Sequence, residues 1–293
     1  MSENFTFTNG EQKKLASNIV AAIELYAQEA YDGGHRSHLG ASLIGNECNA
    51  ALWFGFRWVK HEKFSGRMLR LFNRGHKEEI RFVEWLRGIG CAVEEFDVDG
   101  VTQFRVSGVG GHFGGSTDGK LRIPTHYKNI EFGANLPPML LEFKTSGQNG
   151  FVGVKNKGVM LAKPIHYAQM CTYGRKLGLD YAMYFVINKN DDEIHCEIVK
   201  LDHRYGAQLE EKAEKIITAK ARPERLSNSP AHQTCKYCPF TDICHKNAPV
   251  EKNCRSCRNA RPVDSGQWYC DLYQNIIPKD FIKEGCAAHS SVV

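Results

Sequence analysis

HFGGSTDGKL (112–121), MLLEFKTSG (139–147) and HYAQMCTYGRKLGL (166–179) are the segments on which the reading of this chain turns. In Met139–Phe143 four apolar residues flank one carboxylate with no helical spacing among them, which predicts a buried strand. Side chains alternate along a strand, so Glu142 and Lys144 share a face. A carboxylate and an ammonium at the end of an apolar strand are costly to desolvate unless something uses them. Asp118 follows Gly114 and Gly115, which let backbone or ligand approach closely. The three charged residues are expected to meet at one sheet edge.

Such a trio suits metal-assisted attack on a phosphodiester. Two carboxylates, completed by phosphate oxygens and water, make a hard-oxygen site for Mg2+ or Mn2+. A lysine beside them orients the nucleophile or stabilises charge on the transition state. By itself Glu-x-Lys is a weak signal, since most such pairs are exposed ion pairs. Downstream, the apolar residues of 163–179 recur at helical spacing, with Gln169 and Tyr173 four apart on one face. Upstream, His76 follows Arg74-Gly75 in a helical segment.

Asp118, a spacer and Glu142-x-Lys144 resemble the PD-(D/E)XK nuclease superfamily, and a Gln-x-x-x-Tyr helix after Glu-x-Lys resembles its RecB-type branch. His76 looks like the additional histidine ligand of that branch. The resemblance covers roughly residues 40 to 245. It implies a restriction-endonuclease-like α/β core, a mixed central sheet flanked by helices. It also implies that His76, Asp118, Glu142 and the Phe143 backbone carbonyl bind Mg2+ or Mn2+, and that Lys144 assists the nucleophile. Gln169 would reach the metal-bound water and Tyr173 the DNA. The activity implied is DNA exonuclease action on ends or single strands, of 5′-to-3′ polarity, in recombination, repair or phage DNA metabolism. DNA is then the partner, with room for a recombination protein and for a homo-oligomer. Two other readings stay open: a structure-specific endonuclease using the same residues, and a DNA-binding or assembly protein without catalysis.

Eleven cysteines in a reducing compartment point to metal ligands before disulfides. Cys235, Cys238 and Cys244 stand as C-x2-C-x5-C, one ligand short, and Cys48 is the candidate fourth. One early cysteine and three late ones around a nuclease core resemble the iron-sulfur RecB-like nucleases, including the CRISPR-associated and AddB types, which implies a 4Fe-4S cluster. A zinc site on the same thiolates is the alternative, with His245 as a competing ligand. In the tail, Cys254, Cys257, Cys270 and Cys286 resemble a zinc-ribbon-like module holding Zn2+, with His289 able to replace one cysteine. Cys91, Cys171 and Cys196 are expected to be core thiols. The tail could serve DNA contact through Arg255, Arg258 and Arg261, or docking to a partner.

The chain thus divides into an N-terminal helical region with the first cluster cysteine (1–65), a nuclease core (66–222), an iron-sulfur segment (223–250) and a zinc-ribbon-like tail (251–293). Amphipathic helices are expected at 11–32, from Ser42 through Phe56, and at 66–90. Strands are expected at 91–98, 102–106 and 111–122, then a Pro-containing loop at 123–137. Residues 145–164 read as a mobile connector, 181–188 and 194–201 as a hairpin, and 203–221 as a solvent-facing helix. Arg70 and Arg74 on the third helix, with Lys155, Lys157 and Lys163 on the connector, are the candidate phosphate contacts. The formal charge of +5 is compatible with a polyanion. No apolar run is long enough to span a bilayer and the first residues carry no secretory pattern, so a cytoplasmic location is expected, that of a bacterial host if the gene is phage-encoded.

Overall fold

In the computed structural model, which describes residues 8–96 and 103–293, the strand expected at Met139 runs on to Ser146 and is the middle of a five-stranded sheet. Before it come helix α1 (Asn9–Tyr31), strand β1 (Leu39–Gly40), helices α2 (Asn49–Phe56) and α3 (Gly66–Gly88), and strands β2 (Ala92–Glu94), β3 (Arg105–Gly108), β4 (Phe113–Ser116) and β5 (Lys120–Arg122). A short hairpin of β6 (His126–Tyr127) and β7 (Ile130–Glu131) leads into the central strand β8 (Met139–Ser146). Helices α4 (Gln148–Ala162) and α5 (Pro164–Leu177), strands β9 (Tyr181–Asn188) and β10 (Ile194–Lys200), and helix α6 (His203–Thr218) follow. The C-terminal part holds short helices α7 (Gln233–Lys236) and α8 (Thr241–Lys246), strands β11 (Ala260–Pro262), β12 (Trp268–Cys270) and β13 (Asn275–Ile277), and helix α9 (Lys279–Ile282).

The central sheet has the order β10-β9-β8-β5-β2, with β8 parallel to β9 and the other neighbours antiparallel. Both faces of β8 and β9 are covered, which is why these strands are apolar almost throughout. On one face Leu141, Phe143, Met183, Phe185 and Ile187 pack against Phe82, Val83 and Leu86 of α3. On the other, Leu140, Ala182, Tyr184 and Val186 join a larger core with Phe151, Val154 and Met170 of α4 and α5. That core continues through Trp53 and Phe56 of α2 into Cys257, Ala260 and Trp268 of the C-terminal part. The architecture is the α/β class expected: a mixed sheet flanked by helices, with an N-terminal helical part and a cysteine-rich C-terminal region. Among the described residues no helix is long and apolar enough to cross a membrane.

Several local expectations need correction. The helix expected from Ser42 is a 3-10 turn at Ala41–Leu43, and α2 begins only after Cys48. The chain between them lies against α5, so closely that a Cβ at Gly45 would stand 2.9 Å from Ile165 Cα. The strand expected over 111–122 is broken between β4 and β5, where Gly119 has φ +133°. The connector after Lys144 is instead α4, because Phe151, Val154 and Val159 bury one side of it in spite of its glycines. Gly158, at φ +74°, interrupts it near the end. Helix α6 is not solvent-facing: Leu209, Ala213, Ile216 and Ile217 are buried, and it stops at Thr218, before the prolines. The loop at 123–137 contains the β6–β7 hairpin. Helix α1 leaves Leu15, Ile19, Ile23 and Tyr26 exposed and buries only Ala27. Cys91 and Cys171 are buried as expected, whereas Cys196 is exposed on the edge strand β10. The ends of the strands expected at 91–98 and 102–106, at 97, 98 and 102, lie outside the described residues.

Candidate active site

The site forms where the sheet comes apart. Strand β5 pairs with β8 only at Met139 and Leu140, and Leu141 N–H donates to Gly119 O at 2.9 Å. Past that point β8 has lost its neighbour, and the backbone N–H of Phe143 would be left without a partner in a half-buried place. Asp118 fills the gap: its Oδ2 accepts from Phe143 N–H at 2.6 Å. A break in one strand thus brings Asp118 to the same edge as Glu142 and Lys144.

Glu142 and Lys144 share a face, as alternation requires, and the Lys144 ammonium donates to Glu142 Oε1. Glu142 is fully buried, while Lys144 keeps about a quarter of its side chain in solvent, 26%. Gln169, on α5, donates from Nε2 to the other oxygen of Glu142 at 3.2 Å. Helix α5 is anchored for this by Pro164 in its first turn and by Gly178, whose φ of +66° caps its end. One turn beyond Gln169, Tyr173 is buried, and a Cβ added at Gly115 would stand 2.5 Å from its hydroxyl. The small residues of β4 thereby make room for the ring. Burial, and then the charges of Glu142 and Asp118, push the Tyr173 phenol well up.

Helix α3 brings two residues towards this edge. His76 is exposed, with 75% of its side chain in solvent, and its Nδ1 lies 3.6 Å from Glu79 Oε1. One turn on, Glu79 is half-buried, and its carboxyl is pushed up to about 7 by desolvation and by the Asp118 charge. Desolvation, followed by Asp118 and Glu79 against the opposing pull of Lys144, also brings the Glu142 carboxyl to about 7. Burial raises Asp118 too, opposed by Lys144, the Phe143 amide and His76. Glu79 is thus the acid that the sequence reading passed over. Its signal was there, for Glu79, Phe82, Val83 and Leu86 fall on one helical stripe, and a carboxylate on an apolar stripe is out of place.

Beside these residues opens a cleft of about 450 Å³, lined by Ser42, Lys144, Lys163, Ile165, His166 and Gln169 among others. His166 Nδ1 and Tyr184 Oη are 2.9 Å apart, and burial, with Lys144 and Lys163 nearby, brings the imidazole down to about 3. It is therefore neutral at any ordinary pH. Of the expected phosphate contacts, Lys163 lines this cleft. Arg70 is instead paired with Glu24 of α1 at 2.6 Å, and Lys155 with Glu193. Arg74 lies 3.7 Å from Glu78, and Lys157 is exposed.

Within each cysteine set the thiols lie near enough to influence one another. The thiols of Cys235 and Cys238 are each raised by burial first and then by Cys48 and Cys244 as neighbours. Arg222 Nη1 approaches Cys244 Sγ at 3.5 Å. His245 Nδ1 lies 3.5 Å from Arg225 Nη1. In the tail, Cys254 is raised by burial and then by Cys286, Cys257 and Cys270. Ser290 N–H donates to Cys257 Sγ at 3.4 Å. His289 Nε2 lies 3.0 Å from Ser256 Oγ. Among the described residues, no three His, Cys, Asp or Glu side chains converge closely enough to hold a single metal ion. Arg255 is buried rather than presented to DNA, and Arg261 pairs with Asp271 at 2.9 Å.

No protein-family model and no curated protein matches the chain. Among solved structures it is similar to LHK-Exo in complex with dAMP, at 17% identity over 61% of this chain and 86% of that one, with a TM-score of 0.41. A second likeness is to an alkaline exonuclease (LHK-Exo) from Laribacter hongkongensis, at 15% identity over 62% and 87% of the two chains, TM-score 0.40. A third is to SSO0001, at 16% identity over 77% and 96%, TM-score 0.42.

Proposed function

We propose that the chain is a divalent-metal-dependent DNA nuclease acting as an exonuclease on ends or single strands. One observation carries the reading: Glu142 is fully buried at an open sheet edge with Lys144 on one oxygen and Gln169 on the other, and Asp118 is held on the adjacent amide. A stable core has no need of three carboxylates around one lysine, and burying them is costly. Glu79, Asp118 and Glu142 are hard oxygen donors whose mutual repulsion a divalent cation would relieve, and holding one would draw them closer together than they stand here. Asp118, Glu142 and the Phe143 carbonyl would hold Mg2+ or Mn2+, with Glu79 in the role expected of His76. When bound, the cation supplies Lewis-acid activation of water and neutralises charge at the phosphoryl oxygens.

The chain's own residues do the rest. Lys144 orients the attacking water and faces the negative charge that develops at phosphorus. Gln169 fixes the plane of the Glu142 carboxylate, and Tyr173 backs the edge from beneath. Lys163 attracts the phosphodiester into the cleft. Cys48, Cys235, Cys238 and Cys244 would be the ligands of a 4Fe-4S cluster, which would supply a cross-link between the start of α2 and the C-terminal part over a long loop. Cys254, Cys257, Cys270 and Cys286 would be the ligands of a structural Zn2+.

The test is cleavage of end-labelled linear DNA and closed circular DNA with Mn2+. The linear substrate is expected to shorten from an end while circles survive; nicked circles would assign an endonuclease instead. Asp118→Ala and Lys144→Ala should each abolish cleavage and retain DNA binding. Unchanged cleavage in either would overturn the assignment.

A further inference from the structure

Among the described residues Arg255 is one of the most buried charged side chains, at 1% exposure, and no described carboxylate pairs with it. Its guanidinium lies among three aromatic rings, 4.5 Å from Phe56, 4.3 Å from Trp58 and 4.7 Å from Trp268. Its N–H groups donate to Arg36 O at 3.3 Å, to Ser37 O at 2.9 Å and to Phe56 O. A cation buried in this way is tolerable only where rings and carbonyl dipoles replace its hydration; here the rings and three carbonyls serve Nη1 and Nη2, while Nε has no acceptor among the described residues. All three carbonyls belong to the N-terminal part of the chain, whereas Arg255 stands between Cys254 and Cys257 of the tail.

The segment it holds leads straight to the cleft. Trp58 Nε1 donates to the same Arg36 carbonyl at 2.7 Å. Arg36 Nη1 donates to Ser42 Oγ at 3.2 Å, and Ser42 lines the cleft beside Lys144 and Gln169. Between them Leu39 and Gly40 pair with Phe113 and Gly114, the strand whose next residue makes room for Tyr173. The tail grips the other end of that strand as well: His112 Nε2 lies 2.8 Å from Val263 O, and Gly266 N–H donates to Gly110 O at 2.7 Å. The segment that leads to Ser42 and the segment that leads into β4 are thus both clasped by the tail.

We infer that Arg255 is a positioning residue for the reaction: through the carbonyls of Arg36 and Ser37 it sets the Arg36–Ser42 segment against the cleft, so the cysteine-rich tail acts as a buttress of the substrate site rather than as a separate DNA-contact module. The inference rests on the nuclease reading for its kinetic readout. A lysine at 255 keeps a cation among the rings but loses the fork that spans several carbonyls.

The experiment measures cleavage of an end-labelled oligonucleotide with Mn2+ by the full chain and by Arg255→Lys, Arg36→Ala and the double variant. KM is expected to rise about tenfold in each single variant, the equivalent of one disturbed contact, with kcat within about twofold, and the double variant no worse than the singles because both act on one segment. Amide exchange over residues 36–42 should quicken in Arg255→Lys while that of β8 and β9 stays slow. A folded Arg255→Lys with wild-type KM, or a double variant whose effects simply multiply, would overturn the inference. Should Arg255→Lys fail to fold, Trp268→Leu loosens one wall of the cage and must raise KM in the same direction; an unchanged KM there counts against the proposal equally. If the wild-type chain itself cleaves nothing, the nuclease reading has failed, and the same pattern sought in the Kd for labelled DNA decides the role of Arg255 independently.

Discussion

Gln169 Nε2 donates to Glu142 Oε2 at 3.2 Å from a helix that is distant in sequence, while Lys144 occupies Oε1 of the same carboxylate. The plane of Glu142 is therefore fixed from two sides before any substrate or cation arrives, which is what a preorganised site requires. Removing Gln169 leaves a buried carboxylate oxygen without a donor. Gln169→Ala is expected to cost about 1–3 kcal/mol of stability for that unpaired group and to lower kcat more than it raises KM. Denaturant unfolding and steady-state kinetics check both.

The placement of Glu79 and His76 on one helix gives a direct contrast. Glu79 sits within reach of the Asp118 charge, and His76 faces solvent. Glu79→Gln should lower cleavage and Mn2+ affinity about 10- to 100-fold, as losses around metal ligands do. His76→Ala should change either by no more than an exposed ion pair is worth, about 1 kcal/mol or less. Mn2+ titration of the two variants separates them, and the reverse ranking would restore His76 as the ligand.

Both Glu79 and Glu142 are held near 7 by burial, above the ordinary value of 4.5. A raised carboxyl means that the folded chain keeps a proton the unfolded chain has released. Metal-free protein should accordingly lose stability as pH rises from about 4.5 to about 7 and level off above that. Tm followed across this range should fall less in Glu142→Gln than in the wild type, and Mn2+ should flatten the wild-type curve. Mn2+ affinity should rise through about pH 7, because the cation competes with the protons these carboxyls retain in the metal-free chain. A Tm that climbs over the same window would contradict the assignment.

Anaerobically purified protein is expected to be brown, with about four irons for one cubane and about one zinc for one tetrahedral site per chain. Cys238→Ser should bleach the visible band and leave the zinc in place, and Cys270→Ser the converse. Each loss should lower stability by roughly 2–5 kcal/mol, on the scale of a removed cross-link in a small domain. Zinc at both sites would replace the cluster assignment without touching the nuclease one.

The sequence alone determined the strand at 139, the shared face of Glu142 and Lys144 and the Gln169–Tyr173 helix. These are local properties, because side-chain alternation and a helical step of four are set by backbone geometry within a few residues. Tertiary structure alone decided that α4 is a helix despite its glycines, that α6 is half buried, and that Arg70 belongs to Glu24. It also decided that Glu79 takes the inward position and His76 the outward one, and that Arg255 is enclosed by rings. Each of these depends on which surfaces meet across the fold, since burial and charge pairing arise between residues far apart in the chain, and no local pattern encodes the distance between them.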